Sequence, residues 1–138
     1  AIGLHQLKRI EAYWLRRRDI WRRYDEALAG LPIGRPAPPE PNTRHAHHLY
    51  TILIDEARAR VSRDAFLDAM TAARIGAGVH YLSLPEHPYY QQTFGWRPHD
   101  YPHAARIGRQ TVSLPLSPKL TDQDVEDVIN AVRSLVER

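Results

Sequence analysis

The sequence predicts an α+β fold, a small and mostly antiparallel sheet with helices packed on one face. Two observations carry that reading. Long amphipathic helical patterns lie near both ends of the 138 residues, and three short segments between them have the composition of strands.

The first helix is expected over about 4–29. Leu7, Ile10, Trp14, Trp21, Tyr24 and Leu28 recur at three- and four-residue spacing, with Arg17 the one charged residue in the stripe. Gly30 stops it and Pro32 cannot continue it. A helix of this length exceeds what one small core needs, so its first half is expected to pack on something outside the chain, with Trp14 or Trp21 as the orphaned apolar surface. Five of the eleven prolines then fall in 32–44 (Pro32, Pro36, Pro38, Pro39, Pro41), which makes 31–44 an extended surface crossing before an α+β core over 45–138.

His48 to Ile54 alternates as a strand, with Leu49, Thr51 and Leu53 on one face and Tyr50, Ile52 and Ile54 on the other. Apolar residues on both faces point to a central position. Ser62 is a good N-cap for a helix over about 63–74 that presents Phe66, Leu67, Met70 and Ala73. Gly76 and Gly78 bracket a change into a short strand at Ala77–Tyr81. Residues 86–110 are turn-rich, with short helices expected at Tyr89–Thr93 and Pro102–Gln110. Thr111–Leu114 reads as the last strand, ended by Pro115. Thr121 caps the final helix with Asp124 at N3, and Val125, Val128, Ile129, Val132, Leu135 and Val136 form its apolar face.

The composition, 43% apolar and 25% charged, is that of a globular protein. The absence of cysteine excludes disulfide scaffolds, thiolate zinc sites and cysteine nucleophiles. No apolar run is long enough to span a membrane, so no membrane partner is expected. The net charge of +3 is modest, and its basic cluster (Arg16, Arg17, Arg18, Arg22, Arg23) reads as a solvated helix face. No nucleic-acid partner is expected.

Eight histidines raise the question of a metal. His45, His47 and His48 cluster, and His99 and His103 are four apart, but no His-Glu-x-x-His spacing exists. Neighbouring strand residues also point to opposite faces, so no metal site is expected. No serine lies in a Gly-x-Ser-x-Gly elbow, and there is neither a dinucleotide fingerprint nor a P-loop.

The stretch Gly78-Val-His-Tyr-Leu-Ser-Leu-Pro-Glu-His-Pro-Tyr-Tyr-Gln-Gln-Thr-Phe-Gly95, followed by Ser113-Leu-Pro-Leu-Ser-Pro-Lys-Leu-Thr-Asp-Gln-Asp124 and the amphipathic tail, carries more information. In this order the segments resemble the C-terminal small domain of the DegT-type, pyridoxal-phosphate-dependent sugar aminotransferases. The resemblance runs from Gly3 to about Val136. It implies that residues 1–138 are one domain, the C-terminal small domain of a larger enzyme, with the fold found at the C-terminus of fold-type I pyridoxal-phosphate (PLP) transferases. The implied reaction moves an amino group from an amino-acid donor of the glutamate type to a keto sugar nucleotide, for polysaccharide, lipopolysaccharide or amino-sugar biosynthesis. Some members are dehydratases.

The same resemblance implies that His80 and Tyr81 sit beside the mouth of the active site, near the sugar-nucleotide substrate, with His87 in a following family motif. Substrate-binding residues are therefore expected at His80, Tyr81 and His87. Ser83 stands where the family usually has proline, and Pro85 where it usually has a further histidine. PLP is expected in the full-length enzyme and not on this chain alone. Lys8 and Lys119, the two lysines present, both lie outside the Schiff-base setting of the family, whose lysine belongs to the large domain. No catalytic or cofactor-binding residue is expected here, and the fragment alone is expected to be inactive. The expected partners are its own N-terminal large domain, a second copy in a homodimer of the whole enzyme, and the sugar nucleotide, in the cytoplasm. The absence of an initiator methionine at Ala1 fits a domain cut from a longer protein. A free-standing binding or regulatory module that keeps the fold without the chemistry is the alternative.

Overall fold

A computed structural model describes residues 2–137. Its elements run α1 (Ile2–Leu7), α2 (Ile10–Ala27), β1 (Tyr50–Leu53), α3 (Glu56–Ala59), α4 (Arg63–Ala72), α5 (Pro88–Phe94), α6 (Pro102–Gln110), β2 (Thr111–Leu114) and α7 (Asp122–Val136), with single 3-10 turns at Leu84–Glu86 and Pro98–Asp100.

The sheet has two strands. β1 and β2 pair antiparallel with Tyr50 opposite Leu114, Thr51 opposite Ser113, Ile52 opposite Val112 and Leu53 opposite Thr111. Each strand also makes one further antiparallel bridge on its outer edge, Leu53 to Gly34 and Ser113 to Gly78. β1 therefore has neighbours on both sides, as its two apolar faces suggest. Because side chains alternate along a strand, Tyr50, Ile52, Val112 and Leu114 share the core face, and Thr51 and Ser113 share the other.

Against the core face pack Ile20, Tyr24 and Leu28 of the first helical region, Phe66 and Met70 of α4, and Val125, Val128, Ile129, Val132 and Val136 of α7. Local chemistry sets the boundaries of these helices. Ser62 Oγ accepts from the Ala65 amide at the start of α4, and Thr121 Oγ1 accepts from the Asp124 amide while Asp124 returns a hydrogen bond to the Thr121 amide. Asp55 caps α3, a helix the sequence reading left out. Gly30, at φ 79°, takes the left-handed conformation just beyond α2.

Three expectations are corrected. The helix expected over 4–29 is two helices, interrupted at Lys8 and Arg9. Ile2, Leu4, Leu7 and Ile10 before and after the break are exposed, so little apolar burial steadies that end. Trp21 is not an orphaned surface: it is 6% exposed, with the rings of His45, His47 and Tyr50 edge-on to it at 4.8–5.1 Å. Trp14 is half-buried, donating its indole N–H to the His45 carbonyl at 2.7 Å beneath the Arg44 guanidinium. Lastly, the strand expected at Ala77–Tyr81 amounts to the single bridge at Gly78, after which the chain leaves the sheet.

The arginine cluster is largely paired. Arg16 and Arg23 both reach Asp122 at the start of α7, at 2.8 and 2.9 Å, and Arg23 also bonds Glu126. Hydrogen bonding and charge from Arg16 hold the Asp122 carboxyl below the usual carboxylate range.

Candidate functional site

The site grows from the outer edge of β2. Ser113 and Gly78 exchange backbone hydrogen bonds, 2.7 Å from the Ser113 amide and 3.1 Å from the Gly78 amide. Two residues beyond Gly78 the chain returns the His80 ring to the same strand, with Nδ1 2.9 Å from Ser113 Oγ. One edge of the imidazole is thus fixed to a rigid strand while His80 as a whole stays exposed. The His80–Tyr81 peptide bond is cis. The Tyr81 ring lies edge-on to His80 with centroids 4.9 Å apart and is 75% exposed. His80 and Tyr81 therefore form one unit, an imidazole and a phenol side by side on the surface.

After Leu82 the chain is tied down a second time. Ser83 is buried and donates its hydroxyl to Glu86 across the 3-10 turn, and Arg109 of α6 donates to the other Glu86 oxygen at 3.0 Å. The Ser83 hydrogen bond first, and the Arg109 guanidinium with it, hold the Glu86 carboxyl below its ordinary value. α6 passes so close that a Cβ at Gly108 would lie 2.8 Å from the Ser83 amide nitrogen. Ser83 is therefore a hydrogen-bonded anchor. Pro85 is also buried, and its carbonyl accepts from the Gln91 side chain at 2.8 Å.

His87 ends this turn and precedes α5, which opens with Pro88 at its first position, where a missing N–H costs nothing. Its ring contact is Tyr90, at 6.3 Å. Tyr90 stacks on Trp96 at 5.4 Å and 11°, and Trp96 meets Tyr101 at 5.5 Å. The structure thus brings His80 and Tyr81 together and places His87 in a separate aromatic group. Ser113, Glu86 and Arg109 were missed in the sequence. Ser113 is 33 positions from His80 and Arg109 is 23 from Glu86, so no local spacing marks either pair.

The other candidate clusters resolve into structure. His45 and His47 face each other through their Nδ1 atoms at 3.1 Å within the tryptophan cluster, and His99 lies 3.2 Å from Asp100. Among the described residues no three His, Asp or Glu side chains converge as a metal site would require. Lys8 and Lys119 are both exposed, in the break before α2 and in the turn before α7. Neither offers the enclosed amine that a PLP-binding lysine requires, so the residues described do not fit that cofactor. No helix is long and apolar enough to cross a membrane, among the described residues. An open depression along α6, lined by Pro98, His99, Pro102 and Arg106 among others, contains none of His80, Tyr81 and His87.

Comparison with known proteins gives a consistent result. The family model described as the DegT/DnrJ/EryC1/StrS aminotransferase family matches residues 1–133. The spore coat polysaccharide biosynthesis protein SpsC of Bacillus subtilis (strain 168) is 43% identical over 138 residues, covering 99% of this chain and 35% of that protein. The putative sugar aminotransferase Spr1654 from Streptococcus pneumoniae, solved in a PLP form, superposes with a TM-score of 0.88 at 31% identity, over 98% of this chain and 34% of that one. DesV of S. venezuelae, solved in complex with a ketimine intermediate, gives a TM-score of 0.86 at 30% identity, over 99% of this chain and 35% of that one. The chain spans 35% of the length of the curated relatives it matches.

Proposed function

The chain belongs to the DegT/DnrJ/EryC1/StrS aminotransferase family, and on that premise we propose that it is the C-terminal domain of a PLP-dependent enzyme that transfers an amino group from a glutamate-type donor to a keto sugar nucleotide. The product would serve polysaccharide, lipopolysaccharide or amino-sugar biosynthesis. The observation that most supports this is the pairing of full coverage of the chain with one-third coverage of sugar aminotransferases of the same fold. In this reading the cofactor and its lysine lie in a larger N-terminal domain, the whole enzyme is a homodimer in the cytoplasm, and the exposed apolar side chains Ile2, Leu4, Leu7 and Ile10 are part of the surface that meets that domain.

Within the proposed enzyme this chain contributes binding and orientation. His80 and Tyr81 face the sugar nucleotide: the imidazole offers a hydrogen bond to a substrate oxygen, and the phenol ring an apolar face with a polar tip. The Ser83–Glu86–Arg109 anchor holds the backbone that follows them, which limits the freedom lost when substrate is bound. His87 is assigned to the same substrate through the turn it terminates.

Amino transfer from glutamate to a keto sugar nucleotide, measured with the whole protein, tests this reading. His80→Ala should lower kcat/KM about tenfold, the equivalent of one well-placed hydrogen bond, while the fold survives. The 138-residue chain alone, mixed with PLP, should give no band of bound cofactor. Full activity of the His80→Ala protein would remove His80 from the site, and stoichiometric PLP on the chain alone would overturn the placement of the cofactor.

A further inference from the structure

Ser113 enters the site from beneath. It is 5% exposed, it lies on the β2 face opposite Val112 and Leu114, and its backbone amide and carbonyl are both engaged by Gly78. Among the described residues its hydroxyl meets His80 Nδ1, at 2.9 Å. A neutral imidazole has one N–H and one bare nitrogen, and the bond made by one nitrogen decides which of them the other becomes.

The two arrangements are not equivalent here. If Nδ1 carried the proton, Ser113 Oγ would accept and its own buried O–H would be left without this acceptor. If Nδ1 is bare, the hydroxyl donates to it, and what remains idle is an oxygen lone pair. An unmade bond costs more at a buried donor than at a spare acceptor position. We infer that Ser113 is a positioning residue: its hydroxyl donates to Nδ1, so that neutral His80 holds its proton on Nε2 and presents a directed N–H to whatever binds over it.

The consequence is a choice of ligand chemistry. An outward N–H recognises an acceptor, such as a carbonyl, phosphate or ether oxygen, and rejects a ligand that offers only a donor. The assignment to a sugar nucleotide rests on the reading of His80 given above, but the state of the imidazole does not. Ser113 therefore acts on substrate through His80 and touches none itself.

Long-range proton–nitrogen correlation spectra of the full 15N-labelled chain at about pH 8.5, well above the ordinary histidine range, read the tautomer directly. In the wild type His80 should show one form, with Nε2 protonated and Nδ1 bare. Ser113→Ala should move the ratio toward the Nδ1-protonated form by roughly fivefold, the factor expected for one net hydrogen bond. Ser113→Thr, which keeps the hydroxyl, should restore it. Unchanged amide signals of Val112 and Leu114 would certify that β2 is intact.

A wild-type His80 protonated on Nδ1 would overturn the inference, as would a ratio unmoved by Ser113→Ala in a folded chain. Should Ser113→Ala fail to fold, the wild-type spectrum alone decides between the two tautomers. The result is separable from the enzymatic reading. An Nε2–H tautomer with full turnover in the His80→Ala enzyme would sink the substrate role and leave this one standing. The reverse pair of results would do the opposite.

Discussion

Residues 80–108, the arm that carries the candidate site, and the core around the sheet both hold large apolar side chains, yet the two regions hold together differently. Around β1 and β2, Tyr24, Tyr50, Phe66, Val112, Val125 and Val132 are fully buried. In the arm Tyr81, Leu82, Leu84, Tyr89, Phe94 and Ile107 are exposed, and what is buried is Ser83, Pro85, Ala105 and, where it ends, Gly108. The core is stabilised by area removed from water. The arm is positioned by Ser113 on His80, by Ser83 and Arg109 on Glu86, and by aromatic rings stacked on one another at the surface. Side-chain size alone does not identify a core, and the arm's exposed rings form a surface suited to recognition.

The most direct attempt to break this contrast compares two phenylalanines. Phe66→Ala should cost about 3–5 kcal/mol, as for a buried aromatic, whereas Phe94→Ala, which removes a half-exposed ring from the surface stack, should cost about 0.5–1.5 kcal/mol. Denaturant unfolding of both variants measures this, and equal losses would mean that the arm belongs to the core. Gly108→Ala comes next. Its Cβ would meet the Ser83 backbone, which cannot rotate away, so a loss of about 1–3 kcal/mol is expected, with shifted amide signals confined to 80–110. A change spread across β1 and α7 would show that α6 is structural for the whole domain.

The smallest effect is one of pH, and it separates the regions by where they respond. Burial above all, then His45 and Arg18, push His47 below the ordinary histidine value, while Asp25 pulls the other way. The unfolded chain then takes up the proton more readily than the folded one. The stability contributed by neutral His47 is complete above about pH 6.5 and is lost as pH falls through the lowered folded value. Glu86 is also depressed, so its contribution is complete above about pH 4.3 and fades only at lower pH, through its own folded value. Melting curves from pH 8 downward should show the core weakening first. His47→Gln should flatten the slope in the histidine range and leave the carboxylate range alone. A slope unchanged by that substitution would clear His47 of the effect.

Much of the architecture could be read before any coordinates, because it depends on neighbours in sequence. Ser62 and Thr121 announce their helices by capping residues a few positions away, and the apolar stripe of α7 repeats with its own period. The strand at Thr111–Leu114 was read to the residue. What escaped depends on distant partners. Trp21 looked orphaned because the rings that cover it, His45 and His47, stand more than twenty positions away, just after the proline-rich crossing. The strand at 77–81 shrank to one bridge because Gly78 alone reaches Ser113. At the candidate site, His80 and Tyr81 stood out through the motif they share with a family. Ser113 opens the second segment of that resemblance, but nothing local tied it to His80, 33 positions before it.

The clasp between the first and last long helices has a consequence for the order of events in synthesis. Arg23 meets Asp122 across 99 positions, and Ile20 and Tyr24 share a core with Val125 and Val132 of α7. At about 5–20 residues per second, a ribosome takes roughly 5–20 s to deliver the second partner after the first. Throughout that interval the apolar stripe of α2 has no α7 to close on, and β1 lacks β2 until residue 111 has been made. The complete core can close only after α7 has been made, and until then the nascent chain leaves the tyrosines and isoleucines of α2 and β1 short of their partners.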